Sequence, residues 1–219
     1  MFLALLERLL KLQQPSQVIP ASELTDIIRK GIKIPQVRLY TRRSPGVDFD
    51  TVSVGGLYDS YSDREGEPCV ELALIYHPDQ QHIDLAKLNW GQVCFDVAEC
   101  VGHEFVHREQ YRRKKKVRKY RSQDTDTEKR EEQEYLGASD EIEAYGFTIA
   151  AELAEVHDCF ELDHSKLNEV LMYRVYSSTF DTDQSVVLKL HKQISKYLRR
   201  LEIEYDKTNS RARTRPGRN

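Results

Sequence analysis

The stretch Val101-Gly102-His103-Glu104-Phe105-Val106-His107 contains the pattern His-Glu-x-x-His, and its reading decides how the rest of the chain is understood. Residues four apart on a helix sit one turn apart on the same face, so the two imidazoles can converge on one point. Glu104, one position past His103, is long enough to bring its carboxylate to the rim of that point. Two imidazoles for one ion, beside a carboxylate that can take a proton from water, are the local equipment of a zinc hydrolase. Two surface histidines would also produce so short a pattern by accident. The neighbouring residues argue against the accident. Apolar residues at 94, 97, 98, 101 and 105 follow the three-and-four spacing of a helix with one buried face, and Asn89 stands where that helix needs a cap. The spacing predicts a helix from about 90 to about 113 with the motif inside it.

A catalytic zinc site needs a third protein ligand and an open position for water. Gly137 breaks the chain before Ser139-Asp140-Glu141-Ile142-Glu143-Ala144-Tyr145, and Ser139 or Asp140 can cap a helix there. Glu141 and Ala144 share a face of that helix, and the small Ala144 permits close approach of another helix. Glu141 is therefore the candidate third ligand, with Glu143 on a different face as a local capping partner. The plain alternative is that both are solvated acids near a helix start, where the helix dipole favours them. His157 and His164 are rival third ligands and would give an all-histidine site. His77, His82 and His191 read as surface or structural histidines.

With these residues in hand the chain resembles a known group. His103-Glu104-x-x-His107 followed by Glu141-x-x-Ala144 on a second helix is similar to the gluzincin metallopeptidases. The stretch 141–147 followed by Ala150-Ala151-Glu152-Leu153 is similar to the signature of ImmA/IrrE-type peptidases. The two motifs together also look like metallopeptidase-like proteins encoded by tailed bacteriophages. The resemblance covers residues 100 to 147. It implies a zincin-like fold and a Zn2+ ion held by His103, His107 and Glu141. It also implies Glu104 as the general base for water attacking a peptide bond, with a protein or peptide as substrate. Tyr111, Tyr135 and Tyr145 are candidates for stabilising the anionic oxygen that forms. No His-x-x-Gly-x-x-His continuation is present, so the pattern is not that of the metzincins.

Around the motif, the alternation of Gln36–Tyr40 and Thr51–Val54 predicts strands, the second ended by Gly55-Gly56. Val70–Tyr76 is the strongest strand, and it is a candidate for lying along the cleft and pairing with an extended substrate. A helix over 1–13 stopped by Pro15, a short helix opened by Pro20–Glu23 and ended at Gly31, a polar loop over 59–68 and a short strand at 82–86 complete the first half. Beyond 139 the periodicity predicts helices at 140–155, 165–178 and 185–205. The fold class is α+β, a small mostly antiparallel sheet with the site helix, then a helical C-terminal half from about 139. One domain over 1–206 is expected, with an exposed charged arm over 114–134 and a disordered basic tail over 207–219.

The chain has 219 residues and a formal net charge of -3, unevenly placed. Arg112, Arg113, Lys114, Lys115, Lys116, Arg118, Lys119 and Arg121 form a dense basic run, and 124–134 is then mostly acidic. That run reads either as a solvated face neutralised by those acids or as a contact for nucleic-acid phosphates. Two further functions therefore stay open: a nucleic-acid-associated protease, and a non-catalytic structural component of a phage particle in which zinc only fixes the fold. Cys69, Cys94, Cys100 and Cys159 lack a CxxC spacing, which reads as a reduced pattern without a disulfide framework. No apolar run approaches a bilayer span, and the first ten residues lack the basic start and cleavage site of a signal peptide. The expected setting is not secreted and without a membrane, in host cytoplasm or virion if the chain is phage-encoded.

Overall fold

A computed structural model describes residues 1–12, 18–113 and 116–213, the side chains of 208–213 excepted. The contacts within the chain gather into two compact units, Met1–Arg108 and Glu109–Asn219. The boundary falls inside a continuous helix.

In the first unit, helix α1 (Phe2–Leu10) buries Phe2, Leu3, Leu5, Leu6 and Leu9 along one stripe. The stop expected at Pro15 lies outside the described residues. Strand β1 (Val18–Pro20) leads into helix α2 (Ala21–Ile32), which ends on Lys33 in the left-handed conformation, φ 42°. Pro20 stands at the start of α2, and no side chain caps it. Next come β2 (Val37–Arg43), β3 (Ser53–Tyr58), the short helix α3 (Ser60–Glu65) inside the expected polar loop, β4 (Val70–Tyr76) and β5 (His82–Asp84).

The main sheet has the order β2-β4-β3, with β2 parallel and β3 antiparallel to β4. The short strands β1 and β5 form a separate antiparallel pair, with Ile19 opposite Ile83. The class is α+β, with a small, mostly antiparallel sheet set. Strand β4 lies in the middle, and Val70, Leu72, Ala73, Leu74 and Tyr76 are all buried. A central strand has both backbone edges engaged, so Val70–Tyr76 is not the strand that can pair with a substrate. Among the described residues, β2 and β3 are the edge strands of this sheet.

Gly55 and Gly56 do not end the second strand, as their composition suggests, but lie within β3. A Cβ at Gly56 would stand 2.6 Å from Cys100 Sγ and 2.9 Å from Glu104 Cγ and Oε1. The glycine is there because the strand backbone runs hard against the site helix, a use of strand glycine that competes with its use as a terminator.

Helix α4 (Trp90–Arg112) carries the motif. Asn89 caps it, its Oδ1 accepting the Gln92 N–H at 3.2 Å. Cys94, Val97, Ala98 and Val101 are buried as the spacing predicts, Phe105 is only half-buried, and Val93, Glu104 and Val106 are buried as well. The helix therefore runs through the interior and is not a surface helix with a single apolar stripe.

In the second unit the helical part begins before 139. Helix α5 (Thr127–Leu136) occupies the last part of the stretch expected as a charged arm, with Asp126 accepting the Lys129 N–H at 3.0 Å as its cap and Gln133 and Leu136 buried. Helix α6 (Ser139–Val156) follows, then α7 (His164–Leu167), α8 (Leu171–Thr179) and α9 (Gln184–Arg213). The single helix expected over 165–178 is two, the first capped by Asp163. Helix α9 continues through 207–213, where a disordered tail is expected, with Glu204 and Lys207 at a supportive i, i+3 spacing. Residues 214–219 lie outside the described residues. Helices α6 and α9 pack on each other, and at Gly146 a Cβ would stand 2.5 Å from Gln193 Cβ. No helix among the described residues is long and apolar enough to cross a membrane.

Candidate metal centre

The two histidine rings lie one turn apart on α4, centroids 5.0 Å apart and planes inclined by 68°. Loss of hydration pushes the His103 imidazole down to about 3, with the neighbouring His107 a second cause. His103 is therefore uncharged across the neutral range, which leaves a ring nitrogen lone pair for a metal. Glu104 is buried, 8% exposed, beneath the Gly56 backbone.

The end of this stretch of α4 is held by charge. Arg108, directly after His107, donates from Nε to Asp63 Oδ1 at 2.9 Å, and both side chains are nearly buried. Asp63 also accepts from the Tyr58 hydroxyl at 3.1 Å and from the Cys69 thiol at 3.6 Å. One carboxylate thus ties α3, the end of β3 and the start of β4 to the residue beside a histidine of the motif. Desolvation is also what pushes the Cys100 thiol up, with Glu99, Glu104 and Asp96 adding negative potential.

On α6, Glu141 stands in the first turn among tyrosines. The Tyr135 hydroxyl hydrogen-bonds Glu141 and Tyr145; burial first, then the Tyr145 and Glu141 charges, push its pKa up. The Tyr145 ring lies 5.8 Å from Tyr176, whose hydroxyl donates to the Leu136 carbonyl at 3.0 Å. Ser139 does not cap α6; its hydroxyl accepts the Arg118 N–H at 2.9 Å. Glu143 is not a local capping partner either. It is 2% exposed and accepts from Lys196, from Gln110 at 3.3 Å and from Tyr197 at 3.5 Å.

His103, His107 and Glu141 each offer one ligand atom, and these atoms all lie within 4.8 Å of one another, a group that could hold a metal ion. The rival ligands are engaged elsewhere. His157 faces Glu169 at 3.4 Å, and His164 lies against His191, ring centroids 5.4 Å apart. His191 in turn hydrogen-bonds the Tyr173 hydroxyl at 2.9 Å. Two imidazoles and a carboxylate are the donor set of a catalytic zinc site, and neutral His103 suits it. Sequence reasoning missed the Gly56 contact, the Asp63–Arg108 pair and the Tyr135 bond to Glu141. Only the first leaves a signal, a glycine pair inside an otherwise strand-like run.

The basic run departs from α4 at Arg112. Arg113 pairs with Glu109, and Lys114 and Lys115 lie outside the described residues. Residues 116–125 are irregular. Tyr120 is not free for stacking on a base: its ring packs edge-on against Phe180 and its hydroxyl donates to Asp183 at 3.0 Å. Compared with known proteins, the chain matches no family model, no curated protein and no solved structure.

Proposed function

We propose that the chain is a zinc-dependent peptidase of the gluzincin kind on a zincin-like fold, with His103, His107 and Glu141 as ligands and Glu104 as general base. The observation that carries this reading is the convergence of the three ligand atoms within 4.8 Å, with Glu104 one residue from His103 on the same helix. Three protein ligands, and not four, are the pattern that leaves a coordination position for water. When bound, zinc supplies Lewis acidity and lowers the pKa of a coordinated water.

The chain's own residues do the rest. Glu104, held under Gly56, accepts the proton of the attacking water and returns it to the leaving amine. Tyr135, bonded to Glu141, fixes the orientation of that carboxylate, the office of an outer partner to a ligand. Strand β3 is an edge strand of its sheet and passes over Glu104 at Gly56, so an extended peptide pairing with that edge would run beside the general base.

Elemental analysis of the purified chain should find one zinc per molecule, and a library of quenched fluorescent peptides should be cleaved. Glu104→Gln should keep fold and zinc and lose turnover by about 10²–10⁴-fold. Purified wild-type protein without zinc, whose melting temperature does not respond to added zinc and is left unchanged by His103→Ala, would sink the reading.

A further inference from the structure

We propose that a basic cleft at the start of α6 binds the phosphodiester backbone of a nucleic acid. The cleft has a volume of about 440 Å3 and is lined by Lys116, Arg118, Ser139, Ile142, Lys189 and Gln193. Among the described residues this lining holds three cations and no acid, in a chain whose formal net charge is -3.

The cations reach the cleft from two distant parts of the sequence. Lys116 and Arg118 come from the irregular second part of the basic run, and Lys189 from α9. The segment is fastened at the cleft through main-chain atoms: the Arg118 N–H donates to Ser139 Oγ at 2.9 Å, and the Ser139 N–H donates to the Arg118 carbonyl at 3.0 Å. Neither bond commits the guanidinium. The close packing of α6 on α9 at Gly146 and Gln193 sets the other wall.

Several acids of this unit have partners of their own. Glu143 is buried with Lys196 and Gln110, and Glu109 pairs with Arg113. Asp183 takes the Tyr120 hydroxyl and the Ser185 N–H and keeps its charge, which the cleft's Lys189 also faces. The acidic stretch does not cancel the run at its near end, because Asp124 pairs with Lys129 and Asp126 caps α5.

A polymer fits the cleft better than a single small anion. Lys189, Gln193, Lys196 and Arg200 follow one another at four, three and four residues, so they share one face of α9. At 1.5 Å per residue that row spans about 16 Å. Lys196 is committed to the buried Glu143, so Lys116, Arg118 and Lys189 in the cleft, with Arg200 further along the same face of α9, are the cations that successive phosphates would meet, and phosphate contact releases condensed counterions whatever the base sequence.

The test uses the full chain and fluorescently labelled 20-nucleotide probes of mixed sequence, as single-stranded DNA, duplex DNA and single-stranded RNA, read by anisotropy from 50 to 200 mM KCl. Wild type should bind at 50 mM and weaken steeply with salt. The Lys116→Ala/Arg118→Ala/Lys189→Ala variant should bind at least about tenfold more weakly at 100 mM, with the log–log salt slope reduced by roughly 0.7–0.9 for each contact removed. Its circular dichroism and melting temperature should match wild type, since these side chains are at the surface. Lys30→Glu, exposed on α2, should leave binding unchanged. The proposal is overturned if no probe binds at 50 mM. It also falls if Lys30→Glu weakens binding as much as the triple variant, or if deleting residues 207–219 removes the binding while the triple variant keeps it. The comparison of probes assigns DNA or RNA as the source of the phosphates.

Discussion

At Gly56 a single methyl group would meet both the Glu104 side chain, the proposed general base, and the Cys100 thiol. Gly56→Ala should therefore lower stability by about 1–3 kcal/mol, the usual range for overpacking, and lower peptidase turnover with it. Denaturant midpoints and rates on Gly56→Ala with and without Cys100→Ala separate the two effects. Removing the sulfur relieves the 2.6 Å clash and restores part of the stability, while the 2.9 Å clash with Glu104 keeps turnover low. A second prediction concerns the thiols. Burial pushes Cys94 from 9.0 up to about 12, so the folded chain holds a proton that the unfolded chain releases at lower pH. Between those values the native state binds more protons, and stability falls as pH rises. Urea midpoints at pH 7.5, 9 and 10 should decline, and Cys94→Ala should flatten the decline. Of these residue-level facts the sequence exposes the histidine spacing and Glu104, which follow from local geometry. The contact of Gly56 with Cys100 depends on how residues more than 40 apart in the chain come together, and no local pattern encodes that.

Helix α4 works because it is fixed at both ends of its buried course. Its start rests on Asn89, and Asn89→Ala should cost about 1 kcal/mol in a denaturant titration. Its later part rests on the Arg108–Asp63 pair, where removing one partner strands a charge that is almost out of water. Asp63→Ala should cost about 3–5 kcal/mol, more than any loss from the cap. It should also weaken zinc binding, because His107 is next to Arg108. A competitive chelator titration reads that affinity, and an unchanged value in a folded Asp63→Ala variant would refute the anchoring role. The site helix and the strand Val70–Tyr76 were legible as elements because their apolar periodicities are long and unbroken. Helix α5 was not, since its run of charge hides a helix held by an Asp126 cap and two inward residues, Gln133 and Leu136.

For the molecule as a whole, a ligand that binds only the folded chain raises its stability by mass action, about 2.7 kcal/mol at a free concentration one hundred times the dissociation constant. Stripping zinc with a chelator should therefore lower the melting temperature, and restoring zinc should recover it in wild type but not in His103→Ala or Glu141→Ala. The α+β class and the helical second half were legible in the sequence. The order β2-β4-β3 was not, because β2 and β4 are parallel partners separated by β3 and α3, and pairing across such a gap leaves no periodic trace. Helix α6 has one more consequence. Ser139 and Ile142 line the basic cleft, and Glu141 stands between them within a single turn. A rigid turn cannot shift at one of these positions without carrying the others. If filling the cleft moves that turn, zinc affinity changes, and thermodynamic reciprocity then requires zinc to alter the affinity of the cleft by the same factor. Binding isotherms for each ligand, measured with and without the other, would read that coupling in both directions.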